Sequence, residues 1–172
     1  MEQKKYRIRI YDQYQSSGKE SASPLNIDDL KPRAAMFRKI IQQHFSRDVN
    51  ANIVDLGCGH GAFIYFLKET GYHNIIGVDV SPEQTAKAQM LGISEVIQGD
   101  IKEYLKELEP ASQDYIISYD VLEHFDKNEL IDFIDQVFCV LRVGGKWVIH
   151  TPNGTSPFFG TVFFGDYTHE QA

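Results

Sequence analysis

Four aspartates, Asp55, Asp79, Asp100 and Asp120, each stand at or just past the end of a short apolar run. The first leads into glycines at alternate positions, Gly57, Gly59 and Gly61, with Cys58 and His60 between them. Glycine has no Cβ and tolerates positive φ, so a ligand can approach the main chain closely there. The helix expected from Phe63 points free N–H groups at the same place. Asp79 lies about 20 residues beyond the glycines, where a carboxylate can accept hydrogen bonds from both hydroxyls of a ribose. Asp55, inside the turn, suits a cationic ligand end such as an amino group better than a pyrophosphate. The glycines also depart from the dinucleotide pattern GxGxxG, because the third comes one place early.

The elements that must position these residues follow from the apolar pattern. Strands are expected at Ile53–Leu56, Ile75–Val80, Glu95–Gln98, Tyr115–Tyr119 and Lys146–Thr151. Between them come helices. Pro32 sits at the first turn of one that carries Phe37, Ile40, Ile41 and Phe45. A second, Phe63–Thr70, is stopped by Gly71. A third starts at Pro82, with Ser81 as N-cap and Gln84 completing a capping box, and ends near Leu91. Asp100 caps a fourth. A fifth runs from Lys127 to Leu141, broken by Gly144-Gly145. Apolar strands alternating with amphipathic helices predict an α/β fold: a Rossmann-like, doubly wound sheet of five parallel strands, order 3-2-1-4-5, with helices on both faces. Ligands of such sheets bind at the C-terminal strand ends, which is where the four aspartates fall.

The chain has 172 residues and 42% apolar content, the size of one domain with a sizeable core. Its net charge of −7 argues against binding nucleic acid through phosphates. Cys58 and Cys139 have no CxxC spacing, which suits a reduced, cytoplasmic setting. The N-terminus is polar, and no run approaches the roughly 20 apolar residues of a membrane span, so no membrane role is expected. The six histidines show no metal-ligand spacing, so no metal site is expected; His60 and His150 read as packed or exposed residues.

Several motifs together resemble the class I S-adenosylmethionine-dependent methyltransferases. Val54-Asp55-Leu56-Gly57-Cys58-Gly59-His60-Gly61 resembles the first motif of that family, Gly77-Val78-Asp79-Val80-Ser81-Pro82 the second and Gln98-Gly99-Asp100-Ile101 the third. Tyr119-Asp120-Val121-Leu122-Glu123-His124-Phe125 resembles the fourth in its small-molecule version, and Leu141–Trp147 matches the segment before strand five. The resemblance implies S-adenosyl-L-methionine as cofactor and S-adenosyl-L-homocysteine as product. It implies that Gly57, Cys58, Gly59 and Gly61 hold the methionine part with Asp55 near its amino group. Asp79 would hold the ribose, Val80 would pack on the adenine, Asp100 and Ile101 would meet the adenine edge, and Tyr119 and Asp120 would border the sulfonium. Arg33 reads as a surface residue, the cofactor carboxylate being the other assignment for it.

The family pattern has two further antiparallel strands after strand five, and no room for that hairpin remains here. The expectation is a C-terminally truncated domain. Residues 1–30 then form an arm or lid, in which Tyr11 and Tyr14 either pack on the domain surface or cover the ligand, residues 31–153 form the cofactor-binding core, and residues 154–172 form a loop rich in Gly and Phe. Strand five becomes a bare edge, expected to be covered by a second copy in a homodimer or by residues 6–11, whose period-two alternation is a strand signal.

The activity implied is methyl transfer to a small-molecule acceptor, at oxygen, with His124 as the candidate base for an acceptor hydroxyl, the other assignment being that Glu123 and His124 start or orient the following helix. A non-catalytic S-adenosylmethionine-binding scaffold of the same fold is the alternative. A nicotinamide-dependent oxidoreductase is disfavoured by the glycine spacing.

Overall fold

The computed structural model describes residues 10–13, 23–164, 166 and 168–170. Five parallel strands form one sheet: β1 (Ile53–Leu56), β2 (Ile75–Asp79), β3 (Val96–Gln98), β4 (Gln113–Tyr119) and β5 (Leu141–His150), in the order β3-β2-β1-β4-β5. The chain enters at the centre, winds outward to β3, then returns past β1 to β4 and β5. The C-terminal ends of β1 and β4 therefore flank the crevice where the winding reverses.

Helices α1 (Ala34–His44), α2 (Ala62–Glu69) and α3 (Pro82–Met90) cover one face of the sheet, and α4 (Ile101–Glu107) and α5 (Lys127–Val140) cover the other. Alternation along the strands divides the core accordingly. Ile53 and Ile117 pack with Phe37, Phe63 and Phe66, whereas Val54, Leu56 and Ile116 pack with Leu105, Phe133 and Val137. Both faces of β1 are buried, which is why it reads as an unbroken apolar run except at Asp55.

Several boundaries differ from the pattern reading. Pro32 lies inside a 3-10 turn, Ile27–Arg33, and α1 begins only at Ala34. The long helix ends at Val140, before the glycine pair, and β5 begins at once. Gly144 and Gly145 instead belong to an irregularity in the β4–β5 register, where the pairing passes from Gln113↔Leu141 to Tyr115↔Lys146. Asp114 sits opposite that irregularity. Its carboxylate accepts the Asn52 N–H at 2.8 Å and pairs with Arg142, so the extra residues are tied down by charge. Gln84 does not close a capping box: its backbone N–H reaches the Ser81 hydroxyl, while its side chain turns to His60.

Residues 6–9 and Tyr14 lie outside the described residues; Ile10 to Asp12 are helical rather than extended. Residues Phe159–Phe164 form a short helix, α6, where a loop is expected. Among the described strands β5 pairs only with β4, and Val143 and Ile149 on it are exposed. Among the described residues no helix is long and apolar enough to cross a membrane.

Candidate functional site

The C-terminal strand ends open on a cavity of about 370 Å³. Asp55, Gly57, Cys58, Gly59 and His60 line it from the turn after β1. Asp79, Val80 and Ser81 line it from the end of β2, and Asp100, Ile101 and Lys102 from the start of α4. Tyr119, Asp120, Val121, His124 and Phe125 line the wall after β4, and Tyr11, Arg33, Phe37, Ala62, Phe63 and Gln84 complete it. Gly61 is the one glycine of the turn that does not face the cavity. It holds φ +80° ahead of α2, and a Cβ there would come within 2.9 Å of the Ile93 and Val96 side chains. It lets α2 pack closely against the β3 side of the sheet.

The turn is stitched to the neighbouring strand. Gly57 N–H donates to the Val78 carbonyl at 2.8 Å. Asp79 accepts Gly59 N–H on Oδ2 at 2.8 Å and Ser81 N–H on Oδ1 at 2.9 Å. A carboxylate has about four acceptor positions, so two such bonds leave room for hydroxyl donors from a ligand. Gly57 holds φ +72°, and a Cβ there would meet Val121 Cγ2 at 2.6 Å, which forces the main chain bare at the cavity wall.

Burial dominates the electrostatics. Asp55 is 2% exposed, and burial, with a smaller contribution from the charge of Asp79, pushes its carboxyl up to about 7. Burial also raises Asp79, opposed by its two backbone hydrogen bonds. The Cys58 thiol is pushed well above its usual value by burial and then by Asp55 and Asp79, so it is neither thiolate nor nucleophile at neutral pH. Burial lowers the His60 imidazole, against the contact of its Nδ1 with Gln84 Oε1 at 3.2 Å. The floor of the cavity thus holds two carboxyls, and among the described residues no cationic side chain offsets their burial, an arrangement suited to a ligand that brings positive charge.

Asp100 is the N-cap of α4, its Oδ1 accepting Lys102 N–H at 2.8 Å, and it also borders the cavity. The wall after β4 is more constrained. Asp120 holds φ +56°, a left-handed conformation that Asp tolerates better than most residues. Its Oδ1 lies 2.6 Å from His150 Nδ1, and the His150 ring stacks on Tyr119 at 4.1 Å and 3°. His150 is therefore a clamp between the ends of β4 and β5.

His124 stands at the mouth. Its Nδ1 is 2.8 Å from Thr168 Oγ1, and that hydroxyl donates to Asp166 Oδ1 at 2.5 Å. Because the threonine proton goes to the carboxylate, the hydroxyl oxygen is left to accept from His124 Nδ1. Beside it, Glu123 is 4% exposed, and burial pushes its carboxyl up to about 7. One ligand-type atom from each of Glu123, His124 and His169 lies within 4.8 Å of the others. Spacing alone conceals this cluster, since His169 is far downstream and only the fold returns it to the end of β4. Gln84 is likewise absent from the sequence reading of the site, its capping role having absorbed it.

The model of the methyltransferase domain family matches residues 53–145. Among curated proteins, the tRNA U34 carboxymethyltransferase of Shewanella amazonensis is 28% identical over 117 residues, 64% of this chain and 34% of that protein. The chain thus spans about a third of the length of the curated relatives it matches. Among solved structures, a SAM-dependent methyltransferase from Archaeoglobus fulgidus has a TM-score of 0.73 at 27% identity, over 83% of this chain and 62% of that one. The PH0226 protein from Pyrococcus horikoshii has a TM-score of 0.61 at 25% identity, over 85% and 65%. A phosphoethanolamine N-methyltransferase of Haemonchus contortus in complex with S-adenosyl-L-methionine shares the fold at 23% identity, with a TM-score of 0.59 over 76% of this chain and 32% of that one. The chain belongs to the methyltransferase domain family and is built as a class I S-adenosylmethionine-dependent methyltransferase.

Proposed function

We propose that the cavity binds S-adenosyl-L-methionine and that the domain methylates a hydroxyl of a small molecule. The observation that carries this is the pair Asp55 and Asp79 beneath a bare glycine turn. Two buried carboxyls that burial pushes toward neutrality are suited to a ligand bearing an ammonium and a ribose, not to a pyrophosphate.

Asp55 and the backbone of Gly57, Cys58 and Gly59 hold the amino-acid end, where the ammonium restores the charge of Asp55. Asp79 takes the ribose with the acceptor positions its two backbone bonds leave open. Val80 and Ile101 sandwich the adenine, and Asp100 accepts from its amino group. Arg33, at the cavity rim, is placed to meet the cofactor carboxylate. When bound, the cofactor supplies an electrophilic methyl group on a sulfonium. The protein's task is then alignment of the acceptor oxygen and control of its proton. Tyr119, fixed by the His150 stack, borders the sulfonium. His124 is the residue placed to help the acceptor hydroxyl lose its proton.

The acceptor is read as a small molecule because the chain is acidic overall, with a net charge of −7, and Tyr11, Phe125 and His124 are among the residues that line the cavity. Residues 53–145 carry the family match, and the tRNA-modifying relative is covered over only 34% of its length.

Titration with S-adenosyl-L-homocysteine tests the cofactor, and methyl transfer to a panel of polyols, phenols and a tRNA transcript tests the acceptor. Binding with transfer to a small hydroxyl compound is the expected result. Binding without any transfer selects the scaffold reading, transfer to the transcript alone overturns the small-molecule acceptor, and no binding overturns the whole proposal.

A further inference from the structure

We infer that Glu123, His124 and His169 form a binding site for one divalent transition-metal cation, of the Mn²⁺, Fe²⁺ or Zn²⁺ type, at the acceptor end of the cavity. Three observations carry this. First, one donor atom from each residue lies within 4.8 Å of the other two, so small side-chain rotations bring all three to the roughly 2.0–2.2 Å of a metal bond. Second, Glu123 is 4% exposed, and its Oε1 is buried without a hydrogen-bond partner among the described residues. A buried carboxylate oxygen with no donor is costly, and an ion is one of the few ways to satisfy it. Its other oxygen, Oε2, accepts from the Thr151 hydroxyl at 3.4 Å, which holds the carboxylate in place.

Third, the surroundings of His124 match what a ligating histidine needs. Its Nδ1 meets the Thr168 hydroxyl, which in turn donates to Asp166, so the ring is held in orientation beside Glu123 and His169. Outer partners of this kind fix the ring and raise its basicity toward a metal. The segment that brings His169 is anchored independently, because Glu170 N–H donates to the Glu123 carbonyl at 2.7 Å. Two imidazoles and one carboxylate favour a first-row transition ion over Mg²⁺ or Ca²⁺, which prefer an all-oxygen set.

Three protein ligands leave coordination positions open. Of the three residues His124 lines the cavity, which puts the site beside a substrate held there. The open positions suit an acceptor whose hydroxyl stands beside a second oxygen, so that both can bind. The cation acidifies that hydroxyl: its proton passes to water, the oxygen forms a bond to the methyl carbon, and the carbon–sulfur bond breaks with its electron pair left on sulfur. His124 then acts as ligand rather than as the proton acceptor. This role rests on the methyltransferase reading above; the cation site itself does not.

The experiment is a Mn²⁺ titration of the full chain by electron paramagnetic resonance, in which bound Mn²⁺ loses the six-line signal of the aqueous ion. Uptake of one Mn²⁺ per chain, displaced by Zn²⁺, is expected. Glu123→Gln and His169→Ala should each weaken it by at least about 10-fold. Circular dichroism melts check that each variant folds. If Glu123→Gln unfolds, His169→Ala, in a segment outside the sheet, decides alone. No uptake at millimolar Mn²⁺, or uptake that both folded variants retain, overturns the site. Parallel S-adenosyl-L-homocysteine titrations separate the two readings: binding of that compound without Mn²⁺ uptake removes the metal site only, and Mn²⁺ uptake without that binding removes the cofactor reading only.

Discussion

Asp79 Oδ2 accepts the Gly59 N–H at 2.8 Å, so the acid at the end of β2 holds the glycine turn of β1 in place before any ligand arrives. The same carboxylate is thus a brace for the turn and a candidate ligand for the ribose. Removing it should cost both. Asp79→Ala is expected to weaken S-adenosyl-L-homocysteine binding by about 10–100-fold, the equivalent of losing one or two hydrogen bonds to a charged group, and to lower the melting temperature. Asp79→Asn, which keeps one acceptor oxygen, should fall between. Calorimetric titration of the two variants checks the order; equal affinity in all three proteins would remove Asp79 from the site.

Asp55 makes cofactor binding sensitive to pH. With its carboxyl pushed up to about 7 by burial, a cationic ligand must displace a proton below that pH. Affinity should therefore rise as pH increases from about 6 to about 8, with proton release visible as a binding enthalpy that depends on the buffer. Asp55→Asn should lose both effects.

The same group affects the stability of the ligand-free chain in the opposite sense. Between its unfolded value near 4 and about 7, the folded protein keeps a proton that the unfolded chain has released. Stability should fall as pH rises through that window and level off above it, by a few kcal/mol at most for this one residue. Thermal melts at pH 5, 6, 7 and 8 should show a downward drift, reduced in Asp55→Asn.

Gly57→Ala should destabilise the chain by about 1–3 kcal/mol, because φ +72° is unfavourable for alanine and the new methyl would press on Val121. Val121→Ala in the same chain should recover the steric part and not the backbone part. Denaturant unfolding of the single and double variants separates the two.

Much of this was legible in the sequence because it rests on period and punctuation. The strands and helices followed the apolar pattern, and Asp55, Asp79 and Asp100 stood at strand ends, where a doubly wound sheet places its ligand. What the pattern hid was where side chains turn after the backbone is set. Gln84 has the spacing of a capping box, yet its side chain goes to His60, and Gly61 belongs to the glycine turn yet faces Ile93 and Val96. Gly144-Gly145 looked like a helix stop, but the chain was already extended at Leu141, and only the pairing with β4 revealed the irregularity they accommodate. His169 is the clearest case. No local signal ties it to His124, because the tie is a long-range return of the chain made through Thr168 and Glu170.

The two thiols have different consequences for anyone who wishes to observe this domain at work. Cys58 lies in the cavity wall and is held protonated, whereas Cys139 is exposed on α5, on the far face of the sheet from α1 and α2. A maleimide dye should attach at Cys139 first and spare the cavity. The native chain therefore offers a single-site optical handle for following ligand arrival, with no cysteine to engineer in or out.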